Sequence, residues 1–385
     1  MSRTLDFFFD YSCPYAYLAS QQVEALAART GAELRWKPFL LGGVFRALAQ
    51  PQVLPLPPAK ARYLLQDQAR QAARLGLPLR HPPEHPRRTV NALRATLARG
   101  NDPAVIHAFY RAYWAEGRAI EDEAVVREVA GPVDLEAQRD ALKANTDEAL
   151  ARGVFGAPAS IVGDELYWGE DRLWMAEREL GGTPPAAPTA ALPGNTLDFF
   201  FDFSSPFAYL AATQVEALAA RTGSTLRLRP LLLGALFRAV GQVDVPLFSM
   251  SEPKRQFIMK DLLRWAAHWG VPLQWPSTFP MRTVLPLRLF LLEPSAERML
   301  RIFRAAWSQG RDVGDTAVLA DIGFSTAEIE AAATQKQALV DSTQAGTDAG
   351  AFGVPAFVVN GRHLVWGQDR LHHVEAMLGG WEPPA

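Results

Sequence analysis

The chain has 385 residues, 49% of them apolar and 21% charged, which is too long for one ordinary domain and ordinary for packed globular cores. Lysine and arginine (39) nearly cancel aspartate and glutamate (41), so no global positive field draws nucleic acid or an anionic membrane, and partners are expected to be small molecules or protein. A single cysteine, Cys13, excludes an intrachain disulfide and any CxxC cycle. No apolar run reaches the roughly 18 residues of a membrane span, and MSRTLDFFFD lacks an apolar stretch of signal-peptide length, so the expectation is a cytoplasmic protein without a membrane anchor.

Leu5 and Phe7 to Phe9 make a run that is apolar but for Asp6, as in a strand buried on both faces. Pro14 follows at the first position of a helix, with Ser12 or Cys13 at its cap, and Leu18, Ala19, Val23, Leu26 and Ala27 form an apolar stripe up to Gly31. Leu34 and Trp36 alternate with Glu33, Arg35 and Lys37, which predicts a second strand and completes a βαβ unit. Residues 58 to 152, rich in Ala, Leu, Arg and Gln, read as helical throughout.

The chain then repeats itself. Residues 4 to 31 and 196 to 223 differ only at Tyr11/Phe203, Cys13/Ser205, Tyr15/Phe207, Ser20/Ala212 and Gln21/Thr213. The echo continues in LLGGVFRA and LLGALFRA, in GVFGAP (153 to 158) and GAFGVP (350 to 355), and in WGEDRL (168 to 173) and WGQDRL (366 to 371). In the second copy Ala356 to Val359, the turn pair Asn360-Gly361 and His363 to Trp366 predict a hairpin, with a last helix from about Gln368. The expected organisation is a domain over 1–181 with a helical insert at about 44–152, a Pro/Ala-rich linker over 182–195, and a second domain over 196–385 with its insert at about 236–349. The fold class is α/β: two thioredoxin-like domains, each carrying an inserted all-helical subdomain.

With DFFFDFSSPFAYLA, LLLGALFRA, KRQFIMKDLLRWA, FPMRTVLPLR, GAFGVPAFVV and WGQDRL in place, each half resembles the 2-hydroxychromene-2-carboxylate isomerases and kappa-class glutathione transferases of the DsbA-like group. The tandem fusion, Cys13, and Arg88 and Arg282 where asparagine is expected depart from that pattern. The fusion is expected to enclose a dimer in one chain, although a homodimer of such chains stays open.

The resemblance implies glutathione as cofactor. Ser205, at a helix N-terminus with unpaired N–H groups, would hold the glutathione thiolate by a hydrogen bond; taken alone it reads as an ordinary helix cap. Cys13 at the same place is expected to ionise readily and so to act as a monothiol centre, or else to be a small filler. Pro355 and Pro158 are expected in cis facing these termini, leaving the backbone of Val354 and Ala157 to pair with the cysteinyl part of glutathione. Gln368 and Asp369, and Glu170 and Asp171 in the first half, would meet the γ-glutamyl group, with Arg370 and Arg172 pairing with the neighbouring Asp or with ligand. Lys254, Phe257, Asp261 and Arg264 share one helix face, as do Lys60, Tyr63, Asp67 and Arg70; the lysines, with Arg282 and Arg88, would take a carboxylate of glutathione or of an aromatic or conjugated acid substrate, unless that face is merely solvated. No metal site is expected: Pro82 and Pro83 between His81 and His85 break the helical metal pair. The function expected is a glutathione-dependent isomerase of the 2-hydroxychromene-2-carboxylate type, with a kappa-like transferase or a monothiol oxidoreductase through Cys13 as alternatives.

Overall fold

The computed structural model describes residues 3–50, 56–185, 191–242 and 246–384. In the first half β1 (Thr4–Phe9), α1 (Pro14–Thr30) and β2 (Glu33–Pro38) form the βαβ unit, β1 and β2 pairing in parallel from Thr4↔Glu33 to Phe9↔Pro38. α1 starts at Pro14, whose missing N–H costs nothing there, and stops at Gly31, which takes the left-handed φ of +64°. The insert holds α2 (Leu41–Ala47), α3 (Pro58–Arg74), α4 (Val90–Ala98), α5 (Pro103–Trp114), α6 (Glu123–Ala130) and α7 (Arg139–Ala151). The chain returns through β3 (Ala159–Val162), β4 (Glu165–Trp168) and α8 (Leu173–Glu179).

The second half repeats this order with β5 (Thr196–Phe201), α9 (Pro206–Thr222) and β6 (Thr225–Pro230). Its insert holds α10 (Leu233–Val240), α11 (Glu252–Trp269), α12 (Val284–Leu292), α13 (Ala296–Trp307), α14 (Thr316–Asp321), α15 (Thr326–Ala331) and α16 (Lys336–Asp348). β7 (Ala356–Val359), β8 (His363–Trp366) and α17 (Leu371–Leu378) close it. The two sheets have orders β2-β1-β3-β4 and β6-β5-β7-β8. Central strands β1 and β5 are buried on both faces because helices cover each side, which is why they read as unbroken phenylalanine runs. Asn360 and Gly361 both take positive φ in the β7–β8 turn, as an Asn-Gly hairpin requires.

Two expectations are corrected. The insert is not helical throughout: residues 75 to 89 run as irregular chain between α3 and α4, with a cis His85–Pro86 bond, because repeated prolines remove backbone donors there. Its first helix begins at Leu41 rather than near 44, directly after β2. Part of the linker, 186–190, lies outside the described residues.

Candidate active site

The caps of α1 and α9 have nearly the same backbone, Cys13 at φ −98°, ψ 117° and Ser205 at φ −102°, ψ 117°, so one atom decides their chemistry. Ser205 Oγ accepts from the Ala208 N–H at 3.1 Å and donates to the Val354 carbonyl at 3.3 Å. It is a serine cap whose hydroxyl also points at the proline loop. Cys13 caps nothing; its thiol donates to the Ala157 carbonyl at 3.0 Å. The expectation that Cys13 ionises readily fails. Cys13 is half-buried at its surface but ringed by protein, and burial pushes the thiol up to about 12 despite the backbone N–H groups of the helix start.

A residue that sequence reasoning missed fixes each cap. Asp202 Oδ1 accepts from the Ser204 N–H and hydroxyl at 2.9 and 3.0 Å, and its Oδ2 accepts from the Leu233 N–H at 2.8 Å. Asp10 does the same for Ser12 and Leu41. Burial raises both carboxyls against these hydrogen bonds. The signal was present as Asp-x-Ser after a strand. Each aspartate ties the strand-to-helix turn to the first insert helix.

The Val354–Pro355 and Ala157–Pro158 bonds are cis, as expected. Pro355 O accepts from the Gly367 N–H at 3.0 Å, locking the proline loop to the end of β8. Trp366 covers the loop so closely that a Cβ on Gly353 would lie 3.0 Å from its Nε1, and Trp168 stands 2.6 Å from the same point of Gly156. Glycine is needed at both positions for this close approach.

The insert helices cross between the halves. α3 lies against the second half: Tyr63 OH donates to the Trp366 carbonyl (3.1 Å) and accepts its N–H (3.0 Å), and Arg70 donates to the Leu364 carbonyl at 2.6 Å. α11 lies against the first half, where Phe257 packs on Phe155 and Trp168 and Arg264 donates to the Leu166 carbonyl at 2.8 Å. The shared helix face is therefore a buried interface and not a solvated one.

At its centre Arg370 grips both Asp67 oxygens, at 2.9 and 3.0 Å, and pairs with Asp171; Arg172 grips Asp261 at 2.9 and 2.8 Å and pairs with Asp369 at 2.9 Å. Arg172 also pairs with the adjacent Asp171 at 3.0 Å, as expected, and beyond that expectation both arginines join the halves reciprocally. Burial works to raise Asp171, but Arg172 and Arg370 hold it below the usual carboxylate range. Burial pushes Glu170 up to about 8, Arg370 acting against it, whereas its counterpart in the second half is the neutral Gln368.

One cavity of about 1160 Å³ collects most of these groups. Ser205, Val354, Pro355, Gln368, Asp369 and Arg370 line it from the second half, and Ala157, Glu170, Asp171 and Arg172 from the first. Lys60 and Lys254 enter from opposite halves, Lys60 over the Trp366 ring (5.6 Å) and Lys254 over the Trp168 ring (5.3 Å). Burial lowers both amines, Lys254 to about 8 with Lys60 adding repulsion. Arg282 lines the cavity; Cys13, Pro158 and Arg88 do not. Among the described residues no group of side chains is arranged for a metal, and no helix is long and apolar enough to cross a membrane.

A strand ending in a capped helix start, opposite a cis-proline loop and interrupted by a helical insert, defines the DsbA-like class. The chain belongs to the family of DSBA-like thioredoxin domains, which matches it twice, over residues 4–181 and 196–379. It is similar to 2-hydroxychromene-2-carboxylate isomerase of Sphingobium xenophagum, 33% identical over 200 residues that cover 47% of this chain and 99% of that protein. It is also similar to glutathione S-transferase kappa 1 of Caenorhabditis elegans, 28% identical over 211 residues, 49% of this chain and 92% of the other. Among solved structures a selenomethionine 2-hydroxychromene-2-carboxylate isomerase is 26% identical, covering 48% of this chain and 94% of its own, with a TM-score of 0.43. Each relative spans about half of this chain, and all are enzymes, as this chain is.

Proposed function

We propose that the chain is a glutathione-dependent isomerase of the 2-hydroxychromene-2-carboxylate type, working at the Ser205 end of the cavity. The observation that carries this reading is the Ser205 hydroxyl, held in the cavity wall between the Ala208 N–H and the Val354 carbonyl at the positive end of α9. Turned from the Val354 carbonyl, that hydroxyl would donate its one hydrogen to an anion such as a thiolate. When bound, glutathione supplies a thiolate that adds to a conjugated substrate and leaves again without a change of oxidation state. A kappa-like transferase would use the same thiolate and release the adduct, and the relatives of both names keep it as the second reading.

The remaining groups fit the tripeptide. With Glu170 pushed up to about 8, four carboxylates remain, Asp67 and Asp261 buried and Asp171 and Asp369 partly so; they face two guanidiniums, Arg172 and Arg370, which leaves room for an added ammonium beside Asp369. Lys60 and Lys254 have no carboxylate partner among the described residues and suit the opposite, carboxylate end. The Val354 backbone would align the middle residue. A monothiol route through Cys13 is disfavoured, since that thiol is pushed up to about 12 and lies outside the cavity lining.

The test is to titrate the full chain with glutathione and follow thiolate absorbance against pH. The bound thiol should ionise well below the free one, and Ser205→Ala should raise its pKa by about one unit or more, the worth of a hydrogen bond to a charged group. A bound thiol that titrates identically in both proteins removes Ser205 from the mechanism.

A further inference from the structure

The wall of the cavity beyond Ser205 differs from its counterpart in the first half in one direction. The irregular segments before α4 and α12 align through Arg80 and Gln274, whose N–H groups bond the Trp114 and Trp307 carbonyls, and through the caps Thr89 and Thr283. On that register His81, His85, Arg87 and Asn91 of the first half become Trp275, Phe279, Met281 and Leu285, all of which line the cavity. Polar surface has been replaced by rings and aliphatic chains.

Two cations survive this change, Arg282 (opposite Arg88) and Arg288 (opposite Arg94), and both line the cavity. The carboxylate partners of Arg94 and of its neighbour Arg87 do not survive. In the first half Arg94 pairs with Glu136 at 2.9 Å and Arg87 with Glu121 at 2.7 Å. Glu136 sits in the helical turn just before α7; the same place before α16 is Ala333. Glu121 precedes the Asp122 cap of α6; the same place before the Asp315 cap of α14 is Gly314. Arg87 and Glu121 disappear together as Met281 and Gly314, which leaves no charge behind. Arg94 loses only its partner. Arg288 therefore faces the cavity with no carboxylate among the described residues and with its Nε buried and unbonded. Arg94 Nε is likewise unbonded, so the lost carboxylate is what distinguishes the two.

A guanidinium on an apolar cavity wall is costly unless an anion completes it. We propose that Arg288, supported by Arg282, is the anion-recognising residue for the second substrate. That substrate would be an apolar ring compound whose oxyanion (carboxylate, sulfonate or phosphate) sits on Arg288 while its rings lie on Trp275, Phe279, Met281 and Leu285. This rests on the glutathione reading only in placing the second substrate beyond Ser205.

The test measures binding of 1-naphthoate, naphthalene-1-sulfonate and the neutral 1-naphthylmethanol to the full chain by calorimetry, with and without glutathione, and binding of glutathione separately. Both anions should bind more tightly than the alcohol. Arg288→Gln should weaken them about tenfold, the order expected for a lost bond to a charged group, with the alcohol and glutathione unchanged. Ala333→Glu, which rebuilds the first half's pairing, should weaken the anions in the same direction in a protein that melts like the parent. A preference for one anion over the other identifies which oxyanion fits. Equal binding of anion and alcohol, or anion binding indifferent to both variants, overturns the proposal. Loss of glutathione binding alone would instead refute the cofactor reading and leave the anion subsite standing.

Discussion

Arg370, in the helical turn just before α17, and Asp67, in the first half's α3, form a two-pronged ion pair of 2.9 and 3.0 Å with both side chains almost fully buried. Neither charge has water to return to if the other is removed. Asp67→Ala removes this two-pronged bond but leaves Arg370 with Asp171 and Glu170, so it is expected to cost about 1.5–3 kcal/mol, the worth of hydrogen bonds to a charged group rather than of a stranded charge. Urea unfolding followed by tryptophan fluorescence checks this; a loss below about 1 kcal/mol would mean that the halves do not depend on the pair. The same measurement on Asp261→Ala should give a similar loss through Arg172.

Cys13→Ser should give α1 the cap that α9 already has, with a gain of about 0.5–1 kcal/mol and no loss of isomerase activity. In the parent protein the rate of alkylation of Cys13 should keep climbing through the alkaline range toward its pKa of about 12. A plateau near neutral pH would show a reactive thiolate and revive the monothiol route.

Lys254 offers a pH signature. Its folded pKa, lowered from 10.5 to about 8 by burial and by Lys60, means the unfolded chain keeps the proton that the folded chain releases between those values. Its contribution to stability must therefore rise as pH goes from about 8 to 10.5, while affinity for a carboxylate ligand falls as pH rises through 8. Lys254→Met should flatten both profiles. Calorimetric glutathione titrations at pH 7 and pH 9, compared between parent and variant, settle it.

Glu170 has the opposite sign. Its folded pKa, pushed from 4.5 to about 8 chiefly by burial, makes the folded state the better proton binder in that window, so stability is lost as pH rises through it. Glu170→Gln, which copies Gln368, should remove that loss and make the protein more stable than the parent at pH 9. Melting temperatures across the range give the answer; parallel curves for the two proteins would show that Glu170 is not strained by its burial.

Elements were easier to read than their placement. The strand of β1, the proline start and glycine stop of α1, and the Asn-Gly hairpin follow from local rules that one stretch of chain satisfies alone. The cap serine and the proline loop were likewise legible, because each is a motif of adjacent residues. The crossing of α3 and α11 was not: an amphipathic face shows that a helix is covered, never by which half, so Lys60 could not be assigned to Trp366 nor Arg172 to Asp261 from periodicity. Arg288 was overlooked for a different reason. A cation becomes conspicuous only when its missing partner is noticed, and Glu136 and Ala333 lie far from their arginines in sequence.

Joining the two copies in one polypeptide has a consequence for how such a protein can change. In a symmetric pair of identical chains every substitution is made twice, so a residue that improves one cleft alters the other and the shared seam simultaneously. Here Glu136 and Ala333, Cys13 and Ser205, and Glu170 and Gln368 are separately inherited positions. One copy is free to specialise its chemistry while both keep the reciprocal arginine contacts that hold the assembly, a freedom closed to an unlinked homodimer.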